Sequence, residues 1–152
     1  FMNGAYTLKG KSHCDNHTTV DHKVAHCYSK ELYKGVIDDR ATNVFNGKVF
    51  VRKDAQKINA FQSNANILLS ETGTVNSKPE LEIYADDVKC SHGSTTGQLD
   101  EEAVFYLRSR GLTEKSAKEL LVKAFLGEVL EEVDNREVRS YVEKEIELHF
   151  SA

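Results

Sequence analysis

The 152-residue chain holds no tryptophan, one methionine and one proline. Its longest apolar run is only a few residues, so the sequence offers no membrane span. It carries no signal-peptide pattern either. No basic stripe runs through it, which leaves nucleic acid without its usual electrostatic footprint. No phosphate loop occurs: Thr95-Thr96-Gly97-Gln98 lacks the Gly-Lys-Ser/Thr pattern, so ATP is not bound by that route. The three cysteines, Cys14, Cys27 and Cys90, are an odd number without framework spacing. A reducing, cytoplasmic setting is therefore expected.

What is present divides in two. Residues 1–99 carry a net charge of +1 and residues 100–152 a net charge of −5. The break coincides with a change of period. It predicts a β region over 1–98 and a helical subdomain over 99–152. The length suits one domain, or a domain with a small subdomain. The chain opens on Phe1, which suggests part of a longer protein.

Before the break, Val, Ile, Phe and Thr fill short runs suited to a pleated, half-buried surface. Strands are predicted at 19–24, 32–37, 48–52, 57–62, 67–69, 81–84 and 88–92. Turn signals fall at Asn46-Gly47, Thr72-Gly73 and Asn76-Ser77-Lys78-Pro79. Asn46-Gly47 favours a hairpin, hence an antiparallel sandwich. Many short strands at nearly even steps equally fit a solenoid of stacked parallel strands. No sequence repeat decides between them.

After the break the period is helical. Asp100 is a predicted N-cap followed by Glu101 and Glu102, and Gly111 a predicted terminator after Arg110. Thr113 caps a second helix whose face is read as Ala117, Leu120, Leu121, Ala124 and Phe125, broadened by Leu126, Val129 and Leu130. Asp134 and Glu137 read as the capping box of a third, with Val138, Tyr141, Val142, Ile146 and His149 on one side.

Three groups could carry chemistry. Ser12–Cys27 concentrates His13, Cys14, His17, His22, His26 and Cys27, and a zinc module would need four of them converging at about 2.0–2.3 Å. On a strand, however, His22 and His26 stand roughly 13 Å apart. Asp38-Asp39 and Asp86-Asp87 supply the carboxylates that a β-solenoid carbohydrate-active enzyme would use. Neighbours on a strand face opposite ways, which argues for surface turns instead. Cys90 and His92 share one strand face with Cα atoms about 6.6 Å apart. A thiolate and an imidazole suit zinc, copper or an iron–sulfur species, but two ligands do not close a site.

Several stretches stand out: Tyr33-Lys34-Gly35, Val44–Val49 (VFNGKV), Ala55-Gln56-Lys57, Asn64 and Asn66 before Leu68-Leu69, Lys78–Ile83 (KPELEI), Ala85–Gly93 (ADDVKCSHG) and Phe105–Gly111 (FYLRSRG). Together they resemble the SufB/SufD family of iron–sulfur cluster assembly proteins. DDVKCSHG looks like the SufD branch. The SufB branch tends to carry His-Glu-Ala-Thr where this chain has His92-Gly93-Ser94-Thr95, and Ser94 stands where Ala is usual.

The resemblance implies a mainly β fold with α: a right-handed parallel β-helix followed by a small C-terminal helical subdomain. Asn46-Gly47 then becomes a solenoid corner. It implies a SufD-like scaffold subunit, itself non-catalytic, working with a SufB-like subunit and a SufC-like ATPase. The ATPase would dock on the helical segment from Asp100 to Phe150. SufB and SufD pair through their β-helix ends, and a second copy of this chain joined through the β-helix is an alternative partner. The His of the CSHG motif maps onto His92 at that interface, with Cys90 in the same motif. No cluster would be held stably by this chain alone; an iron–sulfur cluster would pass through the complex.

Overall fold

The computed structural model describes residues 1–131 and 133–151; the side chains of His149, Phe150 and Ser151 lie outside the described residues. Seven strands come first: β1 (Met2–Leu8), β2 (His13–His22), β3 (Tyr28–Ile37), β4 (Thr42–Val51), β5 (Ile58–Leu68), β6 (Thr74–Ile83) and β7 (Val88–Gln98). Three helices follow: α1 (Glu101–Ser109), α2 (Glu114–Glu131) and α3 (Arg136–Ser151).

Odd and even strands separate into two parallel sheets, β1-β3-β5-β7 and β2-β4-β6. The chain alternates between them, so each coil contributes one strand to each sheet and the whole is a flattened parallel β-solenoid. The coil length varies. Met2 pairs with Glu31, 29 positions on, whereas Thr42 pairs with Thr74, 32 positions on. A repeat of changing length hides from any fixed-period comparison, which is why the sequence shows none. The mainly β fold with C-terminal helices agrees with what the resemblance implies.

The corners stack as the strands do. Asp38 and Arg40 donate backbone N–H to Leu8 and Gly10 of the coil below, and Leu69 donates to Ile37. Asp39 takes φ 52° there, and its carboxylate accepts from Gly10 N at 2.9 Å. At the opposite edge His26 donates to Gln56 and Lys57 to Asp87, and the Lys57 and Asp87 side chains pair. These coil-to-coil bonds satisfy corner groups that a bare loop would leave to water.

Several sequence expectations are corrected. Asn46-Gly47 is neither hairpin nor corner; it lies inside β4. A Cβ at Gly47 would come within 2.5 Å of Gln62 Nε2 and 2.7 Å of the Phe45 ring, so the glycine serves close approach across the interior. Pro79 lies within β6, the terminal strand of its sheet, where a missing N–H breaks no central ladder. The runs 57–62 and 67–69 are one strand, β5, and the Gly- and Asn-containing β1 was not foreseen. β7 continues through the small residues to Gln98 because Ser91–Gln98 stay in register with Phe61–Leu68.

The interior has apolar ends and a polar waist. Val49, Val51, Ala55, Ile58, Ala60 and Ala85 form one end; Leu8, Ile37 and Ala41 form the other. Between them Asn43 donates to Tyr6 Oη at 2.9 Å, Asn66 to Asn64 Oδ1 at 2.8 Å and Ser77 to Asn64 Oδ1 at 2.8 Å. Burial pushes the Tyr6 hydroxyl pKa up, against the hydrogen bonds from Asn64 and Asn43.

The helix caps follow the sequence with one exception. Asp100 Oδ1 accepts from Glu102 N and Ala103 N, and Gly111, at φ 98°, ends α1 as a left-handed terminator. Thr113 Oγ1 accepts from Ser116 N at 3.2 Å. The α3 cap is Asn135, not Asp134: its Oδ1 accepts from Glu137 N and Val138 N at 2.9 and 3.1 Å. α2 buries Val122, Leu126 and Leu130 against Val36 of β3, with Ala5 of β1 and Ile67 of β5 beside them. Leu120 and Ala124 face solvent instead, because α2 is apolar on several sides and the outer face of the β1-β3-β5-β7 sheet selects one. On α3, Ile146 is buried but Val138 and Tyr141 are exposed. Lys34 is buried beneath α2, paired with Glu128 and lying 4.5 Å from the Phe125 ring centroid. No helix among the described residues is long and apolar enough to cross a membrane.

Candidate functional site

β7 is the terminal strand of its sheet, paired only with β5. Its sheet has one strand more than the other, so the inner face of β7 has no full rank of side chains opposite it. In register with inward-facing Ala60, Gln62 and Asn64 stand Cys90, His92 and Ser94. These three therefore point to the interior side while remaining at an open rim. Cys90 is half-buried against the Ala60 end of the core, and His92 is exposed. Ser94 donates to Ser77 of β6 at 2.8 Å, tying the rim of one sheet to the other.

Cys90 and His92 thus share a face, as their i, i+2 spacing requires. Burial raises the Cys90 thiol pKa above its ordinary 9.0, against a hydrogen bond to the Ala60 backbone that lowers it. In the free chain this sulfur is a thiol at neutral pH and a weak ligand, since the thiolate is the binding form.

Beneath His92 lies a column that no local motif announces. Glu31, Gln62 and His92 are register partners on β3, β5 and β7. Glu31 is 1% exposed and Gln62 is buried. Gln62 Nε2 donates to Glu31 Oε2 at 2.6 Å, while Glu31 Oε1 and Gln62 Oε1 are buried without a partner. Only the coil offset joins three residues about thirty positions apart in turn, so sequence reasoning missed Glu31 and Gln62.

The other candidates are scattered. Along β2 the side chains alternate: His13 and His17 face solvent, Cys14 and His22 face inward. His17 pairs with Asp15 at 2.9 Å. His22 is buried and bonded to Ser29 Oγ at 2.9 Å, and burial lowers its pKa below the ordinary 6.5. His26 turns a corner at φ 61°, and Cys27 packs on the Val49–Ala60 core. Among the described residues no three His, Cys, Asp or Glu side chains gather as a metal would need. Asp38-Asp39 sits at the β3–β4 corner and Asp86-Asp87 at the β6–β7 corner, on opposite edges of the solenoid. A strand of ten residues, roughly 33 Å, separates those edges, far beyond the reach of a glycosidase pair.

Fold and rim together define a two-sheet β-solenoid with a helical end and a Cys–His pair on its terminal strand. The chain belongs to the SufBD family: the profile described as SUF system FeS cluster assembly, SufBD core domain, matches residues 1–125. It is 47% identical over 126 residues to an iron–sulfur cluster assembly SufBD family protein of Synechocystis, covering 83% of this chain and 28% of that protein. To the iron–sulfur cluster assembly protein SufD of Escherichia coli it is 40% identical over 129 residues, 85% of this chain and 30% of SufD. A SufBD family protein of Mycobacterium bovis is 36% identical over 152 residues, 95% of this chain and 38% of that protein. The chain spans about a third of the length of these relatives.

Proposed function

We propose that this chain is part of a SufD-like scaffold in SUF iron–sulfur cluster assembly, acting with a SufB-like subunit and a SufC-like ATPase and doing no catalysis itself. His92, with Cys90 beside it, faces a nascent cluster or its iron, which is substrate of the complex and not a resident group. The observation that carries this reading is the place of the pair: an imidazole and a thiol on the inner face of a terminal strand that pairs on one edge only. Two ligands there are half a site, and the open β7 edge offers a parallel-strand partner the means to bring the other half. Burying the rim would also change the surroundings of the Cys90 thiol.

His92→Ala in the full chain, co-expressed with its SufB- and SufC-like partners, keeps its fold and lowers the cluster yield of the complex severalfold, read from absorbance and bound iron and sulfide. An unchanged yield removes the site.

The helical segment from Asp100 receives the ATPase. Phe105 and Tyr106 of α1 and Tyr141 of α3 support this, being large rings left exposed on helices whose other faces are packed. Phe105→Asp, at a side chain 73% exposed, weakens ATPase co-purification; undiminished capture by both Phe105→Asp and Tyr141→Asp removes the docking surface.

A further inference from the structure

The column below His92 contains a directed, unanswered hydrogen-bond acceptor. Gln62 Nε2 donates to Glu31 Oε2, so Glu31 sets which way the Gln62 amide faces: the NH2 end toward Glu31, the carbonyl away from it. That carbonyl, Gln62 Oε1, is buried and has no partner. A buried carbonyl without a donor is costly, on the scale of a lost hydrogen bond. The next rung of the same inward column, one strand spacing above at about 4.8 Å, is His92. Its ring carries an N–H in either neutral tautomer.

We propose that Gln62, aimed by Glu31, is the positioning residue of His92. Gln62 Oε1 accepts the N–H of one imidazole nitrogen, through a rotation of the exposed ring. The other nitrogen is then left unprotonated and turned to the rim. A neutral imidazole binds a metal only through its unprotonated nitrogen, and the group bonded to the other nitrogen decides which one that is. Gly47 keeps the space this arrangement needs, since a side chain there would drive into Gln62 Nε2. The consequence for cluster handling rests on the role proposed above for His92; the hydrogen bond does not.

The test reads the tautomer directly. The full chain, labelled with 15N-histidine, is examined by long-range 15N–1H NMR at about pH 8.5, where an ordinary imidazole is neutral; His92→Asn assigns the signals. Wild-type His92 shows one protonated and one bare ring nitrogen. Gln62→Met, of similar length but without the acceptor, shows averaged nitrogens like those of exposed His13. A wild-type His92 already averaged, or one unmoved by Gln62→Met in a chain folded by circular dichroism, overturns the proposal. Should Gln62→Met not fold, Glu31→Gln frees the amide to turn and moves the pattern the same way; no movement then overturns it equally. In the assembled complex, loss of the acceptor lowers cluster yield about tenfold, the usual weight of a group that orients a histidine ligand. If His92→Ala leaves that yield unchanged, the cluster role fails while the tautomer result still decides the positioning role.

Discussion

At the scale of single residues, burial alone gives chemically similar groups different duties. His22 and His92 both face inward along their strands, yet a facing strand covers only His22. Buried against Ser29, His22 is held neutral, with a pKa below 6.5. The unfolded chain binds that proton more readily than the folded one, so stability is full above pH 6.5 and declines as pH falls toward the lowered value. The melting temperature should drop between pH 6.5 and 5, and His22→Asn should flatten that drop. An identical pH dependence in wild type and variant would show that His22 is not the group responsible. Cys90 illustrates the same rule with the opposite sign, because burial disfavours the charged thiolate.

Among the elements, caps and corners carry most of the local instruction. Asp100, Gly111 and Thr113 act where a sequence reader places them, since a helix end needs only neighbours two or three residues away, ahead for Asp100 and Thr113 and behind for Gly111. Asp134 and Asn135 compete for one helix start, and composition does not choose between two good capping residues. The geometry gives the start to Asn135. Thermal melts should therefore find Asn135→Ala destabilising by about 1 kcal/mol and Asp134→Ala by a few tenths. Equal losses would reassign the cap. Asn46-Gly47 shows the reverse error, a strong local turn signal overridden because Gly47 faces Gln62 across the interior and lies against the Phe45 ring of its own strand.

Across the whole molecule, the solenoid and the helices are not independent. Val122, Leu126 and Leu130 cover Val36, and Lys34 is buried under α2 with Glu128 as its ion partner. Fully burying each such aliphatic side chain stabilises by about 1.5–3 kcal/mol. A chain ending at Gln98 should melt on the order of 10 °C or more below the full chain, at a few degrees per kcal/mol. A fall under about 2 °C would mean the helices contribute nothing to the solenoid. Loss of ATPase capture on such truncation would consequently not prove docking, which is why single exposed rings make the better probe.

Near neighbours in the chain are enough to set β character before Leu99, helices after it, three of the helix-end residues, and a shared face for Cys90 and His92. The motif from Ala85 to Gly93 also carries the family resemblance. What depends on the coil offset is legible only in the folded chain. Tertiary structure placed Asn46-Gly47 in mid-strand, turned α2 by its contact with the sheet and parted the two aspartate pairs. It also stacked Glu31, Gln62 and His92. That offset varies from 29 to 32 residues with the corners between strands. No local pattern encodes it, because it is set by how successive coils pack and bond to one another.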